Sequence, residues 1–506
     1  MPHALLSLIT YLPLAGALVA WFFCRGGAAQ DLLARRLGLG TSLVVLALSV
    51  ALWCGFDPAT PGLQFETRLG WISDAGISYH TGVDGISLVF ILLTAFLTPL
   101  AMAAGARSIR TQGREFVVAM LMLETALFGL FSAQDLLLFY VFYEATLIPA
   151  SLMIGIWGGP KRAWASLQFF LFTFGGSLFM LIALIVMWQQ AGTTDIPALM
   201  QAGFSHSLQG WLLLAFLLAF GVKLPLFPLH AWLPDAYSEA PAPASAMLSG
   251  VLSKTGAYGL LRFGVLMFPD AAHLFAPYVL ALGVVAILYA AFVAFAQTDM
   301  KRVVAYSSFS HMGMIAVGLF TLTAEGIDGA IFQMLSHGVV IAALFFCVSA
   351  VALRSDTQQI SALGGVARQM PVLALLTMLF TMANIGLPGT GSFVGELLVL
   401  MGAIHVSFWV ALLAGGTMIM GAVYMLSLYR RVLFGGLQGT VHLLRDLSVG
   451  EVAVLAPLAL VTLWMGIHPG SFTRLFDPVV MQAVHHGATS ATAALSADSA
   501  LHLAAR

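Results

Sequence analysis

The stretch AFGVKLPLFPLHAWLPDA, residues 219–236, combines an apolar helix, one lysine and three prolines. The run LLLAFLLAF leads into Lys223, and no further charge follows until Asp235. Pro225 and Pro228 each remove a backbone donor and clash with the preceding turn, so the helix is expected to break just after the lysine. The stretch therefore predicts an ionisable group beside a broken helix in apolar surroundings.

The composition indicates that these surroundings are a lipid bilayer. Of the 506 residues, 60% are hydrophobic and 8% are charged, whereas soluble domains carry about 25% charged residues. The net charge of -1 argues against nucleic acid as a partner. The three cysteines lie in or beside apolar stretches without CxxC spacing, which supports neither a disulfide framework nor an iron–sulfur site. The chain is therefore expected to be an all-α integral membrane protein.

Fourteen apolar segments are long enough to cross the hydrocarbon core, which takes about 20 residues per helix. Segments one to seven are 3–23, 34–54, 82–105, 114–131, 134–157, 163–190 and 209–229. Segments eight to fourteen are 241–267, 275–297, 302–322, 328–353, 371–403, 405–434 and 449–469. The connecting loops are short, so they leave no room for a soluble catalytic domain.

The basic residues support this division and predict its orientation. The odd-numbered loops hold fifteen of the 21 Lys and Arg residues: Arg25, Arg35, Arg36, Arg107, Arg110, Arg114, Lys161, Arg162, Lys301, Arg302, Arg354, Arg368, Arg430, Arg431 and Arg445. Because cytoplasmic loops carry the excess of basic residues, the odd loops are predicted in the cytoplasm and both termini on the periplasmic side.

Several ionisable side chains remain inside the segments, where a central charge costs about 2.5–3.5 kcal/mol. Such groups mark ion pathways or pair with a named partner. The candidates are Glu124, Glu144, Lys223, Lys254, His311, His337 and Glu396. His230, Asp235 and Glu239 follow the first break and are predicted in a solvated cytoplasmic loop. They are candidate modulators, together with Glu124, and each of these groups could also have a purely structural role.

A second break, Gly386-Leu387-Pro388-Gly389-Thr390-Gly391, interrupts segment twelve. Segments seven and twelve run in opposite directions, which suggests inverted repeats with ion sites beside the two breaks. The predicted divisions are 1–113 for helices one to three, 114–267 for the first repeat and 275–434 for the second. The last helix is predicted at 449–469, and residues 470–506 are predicted to form a C-terminal tail.

The stretch LPLFPLHAWLPDAYSEAPAPASAMLSGVLSKTGAYG resembles the signature of the antiporter-like subunits of respiratory complex I. The same family includes membrane-bound hydrogenase subunits and large subunits of multisubunit cation/proton antiporters. Further matches, over about residues 80–470, are VDGISLVF at 83–90, FYEATLIP at 142–149, SHMG at 310–313 and LSHG at 335–338. One subunit type of complex I carries a glutamate where the others typically carry a lysine in segment twelve, and Glu396 favours that type.

The resemblance implies roles for the candidate residues. Glu144 and Lys223 would form the ion pair that controls proton transfer. Lys254 would be the central relay, with His311 and His337 carrying protons onward through water. Glu396 would be the terminal group nearer the exit. Because a nearby carboxylate favours the charged form of a buried lysine, movement of Glu144 would change whether Lys223 holds its proton.

The resemblance also implies the setting of this chemistry. The chain would be a proton-translocating subunit of an NADH:quinone oxidoreductase in the bacterial cytoplasmic membrane, beside other membrane subunits, especially the antiporter-like subunits L and N. No cofactor is expected in this chain, and NADH, FMN, iron–sulfur clusters and quinone are expected in partner subunits. The alternatives are a subunit of a multisubunit cation/proton antiporter or membrane-bound hydrogenase, or a scaffold that translocates nothing.

Overall fold

The computed structural model describes residues 2–60, 62–436, 441, 444–482 and 484, and most of them form helices. The predicted helical membrane fold is thereby confirmed. Within the predicted C-terminal tail, residues 470–482 are helical, and Leu475 packs against Gly85 at the start of α3. The remainder of the predicted tail, 485–506, lies outside the described residues.

In the first half of the chain, the described residues form twelve α-helices and one β-hairpin. Its elements are α1 (Pro2–Phe23), α2 (Gly27–Gly55), β1 (Gln64–Ile72), β2 (Ile77–Val83), α3 (Gly85–Ser108), α4 (Gly113–Ser132), α5 (Leu136–Ala145), α6 (Leu147–Trp157), α7 (Arg162–Ala191), α8 (Ile196–Gln201), α9 (His206–Lys223), α10 (Trp232–Glu239), α11 (Ala242–Met247) and α12 (Lys254–Gly259). Two π-helical stretches flank α12, at Leu248–Leu252 and Leu260–Val265.

The second half contains the remaining α-helices that have defined bounds. They are α13 (Pro269–Ala296), α14 (Met300–Phe320), α15 (Ala324–Ser355), α16 (Val366–Gln369), α17 (Pro371–Ile385), α18 (Gly391–Val406), α19 (Phe408–Ala414), α20 (Gly416–Leu433) and α21 (Val449–Ile467).

Twelve described helical spans are long and apolar enough to cross a membrane, and they correspond to all predicted segments except eight and twelve. Segment eight is not one regular helix, because the π-helical stretches interrupt it on both sides of Lys254. Segment twelve consists of the shorter apolar helices α17 and α18. The fourteen crossings and the inverted repeats stay predictions that these elements allow.

The two predicted breaks are present, and the structure supplies partners for the backbone groups that they free. Segment seven was predicted to 229, but α9 ends earlier, at Lys223, because Pro225 cannot continue the hydrogen-bonding pattern. The indole of Trp232 donates to the carbonyl of Val222 at 2.9 Å. In the second break, Gly386 adopts a left-handed conformation (φ 85°) that favours glycine.

The connecting loops gather at the two ends of the bundle according to their parity. In one group, the N–H of Gln134 donates to the carbonyl of His80 at 2.8 Å and joins two even-numbered loops. In the other, the N–H of Gly365 donates to the carbonyl of Phe434 at 3.0 Å and joins two odd-numbered loops. We call these ends the even-loop face and the odd-loop face.

The β-hairpin at the even-loop face is an element that the sequence analysis did not predict. Its strands pair in an antiparallel manner between residues 64 and 83. Buried carboxylates hold it on the bundle: Asp135 accepts from the N–H of Ser78 at 3.1 Å, and Asp195 lies 2.7 Å from His80 Nδ1. These partners come from distant loops, so the local sequence pattern carries little sign of the hairpin.

The helices α14 and α15 form the centre of the bundle. In their most apolar windows, 94% and 100% of the residues are buried, compared with 28% in α2. Because protein surrounds these two helices on all sides, polar side chains on them can contact other polar groups without contacting lipid. They carry His311 and His337, respectively.

Candidate functional site

Four of the predicted ionisable side chains form a continuous row in the core. The ammonium of Lys254 lies 2.8 Å from His337 Nδ1. The rings of His337 and His311 are 5.2 Å apart between centroids, and His311 Nδ1 lies 3.2 Å from Glu396 Oε1. All four side chains are at most 2% exposed. The structure thus brings together residues that are up to 142 positions apart, from Lys254 to Glu396.

The backbone at the first member of the row is irregular, since Lys254 begins α12 between the two π-helical stretches. The ammonium also donates to the carbonyl of Ser249 and lies 3.4 Å from the hydroxyl of Ser253. Single-turn π-helical insertions are rare and occur frequently at functional sites. Here, the irregular backbone places the carbonyl oxygen of Ser249 within hydrogen-bonding distance of the Lys254 ammonium.

Gln333 is a member of the site that sequence reasoning missed. Its amide nitrogen lies 3.2 Å from His311 Nδ1 and 3.4 Å from Glu396 Oε1. Gln333 precedes His337 by four residues in α15, so the two side chains share one helix face. This spacing is a signal that the sequence offered, because a buried amide on the face of a candidate relay histidine needs polar partners.

Each junction of the row has two chemical states that its geometry allows. A protonated Lys254 donates to an unprotonated Nδ1 of His337, and a protonated Nδ1 can donate to a neutral amine. At the other end, an unprotonated His311 Nδ1 can accept from the amide of Gln333, whereas a protonated Nδ1 can donate to Glu396. The two hydrogen bonds therefore exclude each other. The row can therefore hold its protons in more than one arrangement.

Several polar atoms along the row have no protein partner among the described residues. They are His337 Nε2, His311 Nε2, Gln333 Oε1 and Glu396 Oε2. Buried polar atoms are nearly always hydrogen-bonded in native proteins, and ordered water supplies the missing partner where protein does not. These four atoms mark where water would complete a path between the side chains.

Lys223 is buried but is not paired with a carboxylate in this arrangement. Its ammonium donates to the hydroxyl of Thr146 at 3.0 Å and lies 3.5 Å from the centroid of the Tyr143 ring. Glu144 follows Tyr143 in sequence and is half-buried. Both Lys223 and Glu144 are described, and no ion pair within 4.0 Å joins them. The structure places the two groups in one neighbourhood without direct contact.

The helix geometry explains the position of these groups. The α5 helix ends at Ala145 and α6 begins at Leu147, so Thr146 lies at the junction of the two helices. Its hydroxyl donates to the carbonyl of Tyr143 at 2.7 Å and accepts from Lys223. Thr146 is a second site residue that sequence reasoning missed, and only the tertiary contact with α9 reveals it.

Glu124 lies apart from the row. Its Oε2 accepts from the hydroxyl of Ser42 on α2 at 3.0 Å, and its Oε1 has no protein partner among the described residues. It contacts no member of the row by a hydrogen bond that the structure describes. Its role as a modulator stays a prediction.

The prediction of a solvated loop for the other three candidate modulators is wrong. Asp235 and Glu239 belong to α10, and His230 is buried against the ring of Phe309 at 4.4 Å between centroids. Asp235 forms an ion pair with Arg302. The stretch after the break folds back into the bundle because its Trp, Leu and Tyr residues bury apolar area, which the turn-forming prolines obscure in the sequence.

The described residues contain no group of three or more His, Cys, Asp or Glu side chains that could hold a metal ion. The side chains of the row themselves can transfer protons between an amine, imidazoles and a carboxylate. These are the side-chain types that exchange protons most readily.

Comparison with known proteins places this geometry in a family. The family model described as "NADH:quinone oxidoreductase/Mrp antiporter, TM" matches residues 133–421, which is more than half of the chain. A second, described as "NADH-ubiquinone oxidoreductase chain 4, amino terminus", matches residues 68–129. NADH-quinone oxidoreductase subunit M of Rhodobacter capsulatus is 47% identical over 497 residues, with 95% of this chain and 96% of that one covered.

Solved structures agree with this assignment. A chain of respiratory complex I from Thermus thermophilus with bound NADH has a TM-score of 0.87 and 33% identity, covering 95% of this chain and 99% of that one. A chain of the Mrp complex from a Dietzia species has a TM-score of 0.79 over 95% of this chain and 52% of that one. At 23% identity, this second likeness concerns the fold alone. The chain therefore belongs to the family of NADH-quinone oxidoreductase subunit M, the antiporter-like membrane subunits of respiratory complex I.

Proposed function

We propose that the row Lys254–His337–His311–Glu396 carries protons across the membrane while partner subunits transfer electrons from NADH to quinone. The observation that carries this proposal is the buried row itself, in which the close polar pairs Lys254–His337 and His311–Glu396 are joined by the neighbouring rings of the two histidines. A buried row of this kind is costly to fold and is retained in membranes for ion or proton movement. Moving one charge against 100 mV takes about 2.3 kcal/mol, which the distant redox reaction must supply.

Lys223 is the control point in this proposal. When Glu144 approaches, its carboxylate favours a charged Lys223. When Glu144 moves away, the ammonium keeps the hydroxyl of Thr146 and the ring of Tyr143 as partners. A hydroxyl and an aromatic face stabilise a cation less than a carboxylate does, so the lysine releases its proton more readily towards Lys254.

The surroundings of Glu144 support a neighbouring subunit as partner. Glu144 lies on a face of α5 and α6 that also carries the exposed side chains of Val141, Ile148 and Leu152. A carboxylate directed towards hydrocarbon is strongly disfavoured. We infer that a polar surface of an adjacent antiporter-like subunit, L or N, covers this face and sets the position of Glu144.

The remaining parts of the proposal concern location and cofactors. The excess of basic residues in the odd loops favours a cytoplasmic odd-loop face, in a bacterial inner membrane with both termini periplasmic. In this proposal, NADH, FMN, iron–sulfur clusters and quinone would be bound by partner subunits.

The test of the row is Glu396→Gln in the assembled complex. We expect NADH-driven proton pumping to fall at least about tenfold, since a positioned acid–base group contributes roughly 10²–10⁴-fold to proton transfer. Glu325→Gln is the matched control, because Glu325 is exposed on α15 and outside the row. Wild-type pumping by Glu396→Gln, at equal assembly, would show that the row does not carry the protons.

A further inference from the structure

The helix that carries Lys254 has an irregular backbone on both sides, since α12 is six residues long and lies between two π-helical stretches. We call residues 254–265 the Lys254 segment. In an α-helix each residue turns the chain by about 100°. A π-helical turn holds an additional residue, so the loss or shift of one such turn would rotate Lys254 away from His337. The position of the ammonium therefore depends on the contacts that fix the rotation of this segment.

Close packing holds the Lys254 segment against α9 without directional bonds. A Cβ atom on Gly256 would lie 2.5 Å from the backbone nitrogen of Leu224, and one on Gly259 would lie 2.3 Å from the ring of Phe220. The two glycines thus let the segment lie directly on α9 beside the first helix break. Apolar packing of this kind is not directional. The rotation of the segment therefore depends mainly on its hydrogen bonds and ion pairs.

Three side chains supply those directional contacts. Among the described residues, the hydrogen bonds that join the Lys254 segment to other elements come from Lys254, Tyr258 and Arg262. These residues are four positions apart, so they follow one side of the helix. Lys254 contacts His337 on α15, as described above. The other two side chains reach the N-terminal end of α3.

The contacts at this end of α3 form a buried polar cluster. Arg262 Nη2 forms an ion pair with Asp84 and donates to the hydroxyl of Ser87 at 3.1 Å. The hydroxyl of Tyr258 lies 3.0 Å from the same Ser87 oxygen. Asp84 also accepts from the N–H of Ser87 at 2.9 Å and thereby caps α3. We call Asp84, Ser87, Tyr258 and Arg262 the α3 anchor.

The α3 side of this anchor is itself tightly packed. A Cβ atom on Gly85 would lie 1.6 Å from the carbonyl oxygen of Leu475, so backbone meets backbone where α3 begins. The Asp84 carboxylate therefore offers a fixed point for Arg262. Arg262 follows Lys254 by eight residues, which is roughly 12 Å along a helix. Its guanidinium thus lies away from Lys254 and would influence it through the helix between them.

We propose that the Asp84–Arg262 ion pair, together with Tyr258, positions Lys254 against His337 by fixing the rotation of the Lys254 segment relative to α3. This inference rests on the proposed function of Lys254. Asp84 and Arg262 are positioning residues and exchange no proton with the row. A buried ion pair adds little to stability, and setting the register of packed elements is its best-attested use.

The experiment compares Arg262→Gln and Asp84→Asn in assembled complex reconstituted into liposomes. Both substitutions remove a charge and keep a polar amide, and asparagine is also a good helix N-cap. We expect pumping per NADH oxidised to fall roughly threefold or more, less than the 10²–10⁴-fold of a direct acid–base group. The pH optimum of pumping should move by about one unit, which is the size of effect that a lost hydrogen bond to a charged group produces.

Arg354→Gln is the matched control. Arg354 forms an ion pair with Glu451 on α21, and its side chain is 18% exposed, compared with 16% for Arg262. The control should keep the wild-type pumping ratio and pH optimum. An anchor with a merely structural role would lower the yield of assembled Arg262→Gln complex but leave both quantities unchanged in the assembled fraction. That result would overturn the inference.

A map of the assembled Arg262→Gln complex gives a readout that does not depend on pumping. The inference expects the Lys254 ammonium beyond hydrogen-bonding distance of His337 Nδ1, and an unchanged separation of 2.8 Å would overturn it. If Arg262→Gln does not assemble, Asp84→Asn takes its place in both measurements. Tyr258→Phe removes one hydroxyl of the anchor without changing its charge, and its map applies the same criterion if neither charge variant assembles.

The outcomes also separate this inference from the proposed function. If Glu396→Gln abolishes pumping while Arg262→Gln and Asp84→Asn pump like wild type at the same pH optimum, the positioning role is wrong and the row stands. If Glu396→Gln itself pumps like wild type, the proposed function fails. The distance between Lys254 and His337 in the variant maps still decides whether the anchor positions the lysine.

Discussion

The contacts of Lys223 support its proposed role as the control point for proton transfer. Its ammonium is 1% exposed, and its nearest polar partner is the hydroxyl of Thr146 rather than a carboxylate. A buried lysine that is tightly ion-paired with an acid keeps its charge and does not readily release its proton. A lysine held by a hydroxyl and an aromatic ring responds to any carboxylate that approaches, and Glu144 directly follows Tyr143, whose ring the ammonium contacts.

Replacing Lys223 with alanine is expected to leave the complex assembled but to reduce pumping and coupled quinone reduction strongly. The substitution removes a costly buried charge, and alanine is well tolerated at a helix end. Lys223→Arg should not restore activity, because arginine keeps its proton at all accessible pH values. The measurement is pumping and NADH–quinone activity in membranes, normalised to assembled complex.

Lys161→Ala serves as the control for Lys223→Ala, because Lys161 is an exposed residue of an odd loop. The control should pump like wild type. If Lys223→Ala does the same at equal assembly, the lysine is structural and the control point lies elsewhere.

The amide of Gln333 gives a second residue-level prediction. The amide nitrogen lies near both His311 Nδ1 and Glu396 Oε1. Gln333→Leu should therefore remove the donor that faces these two atoms and leave them with only the proton that they share. We expect NADH–quinone turnover to fall about tenfold, less than the 10²–10⁴-fold of a direct acid–base group, because the amide positions His311 and Glu396 without exchanging a proton. Gln190→Leu, at an exposed position of α7, is the control. Unchanged turnover in Gln333→Leu would remove the amide from the mechanism.

At the scale of the single helix, the two helix breaks have different structural consequences. The first break ends α9 at Lys223 and turns the chain back into the buried helix α10. At the second break, Gly386 lies against the carboxylate of Glu396, and α18 begins shortly afterwards in the chain. Protein buries Leu224 at the first break and Gly386 at the second, as expected for irregular backbone in a bilayer, whereas residues 387–389 are exposed.

Gly386 offers a controlled test of the second break. Gly386→Ala adds a Cβ 2.7 Å from Glu396 Oε2 and strains a left-handed residue by about 1–2 kcal/mol. Gly389→Ala imposes the same kind of backbone strain (φ 93°) but has no atom within 4 Å of the new Cβ. We expect Gly386→Ala to reduce pumping more than Gly389→Ala. Equal effects would mean that backbone strain alone, not contact with Glu396, is responsible.

At the scale of the whole molecule, the parity of the loops organises the fold. Odd loops contact odd loops and even loops contact even loops, so each end of the bundle is a separate network. The row lies between these networks, on α12, α14, α15 and α18. This arrangement places the buried polar row between two faces built from different loops.

Accessibility labelling tests the orientation of the faces. Arg110→Cys and Asp74→Cys are exposed positions in loops of opposite parity, and a Cys54→Ala background removes the exposed native thiol. An impermeant thiol reagent should label position 110 only from the cytoplasmic side and position 74 only from the periplasmic side. Labelling of both from one side would contradict the parity of the spans, and with it the opposite direction of the two broken helices.

The sequence by itself determined the properties that depend on local chain chemistry. Hydropathy gave the helical membrane class, the prolines and glycines gave both breaks, and the cost of buried charge singled out Lys223, Lys254, His337 and Glu396. The family resemblance, carried by short motifs, was confirmed by the relatives. The roles of the individual site residues stay predictions, because contacts alone do not measure proton movement.

Only the tertiary structure decided which polar groups meet. Lys254 and His337 are 83 residues apart, and their contact depends on how α12 packs beside α15. The same holds for the bridging amide of Gln333, the half-exposed position of Glu144, the β-hairpin and the burial of His230. Local sequence fixes the propensity and polarity of each segment, but the helix rotation and packing that bring distant side chains within hydrogen-bonding distance arise from the whole bundle.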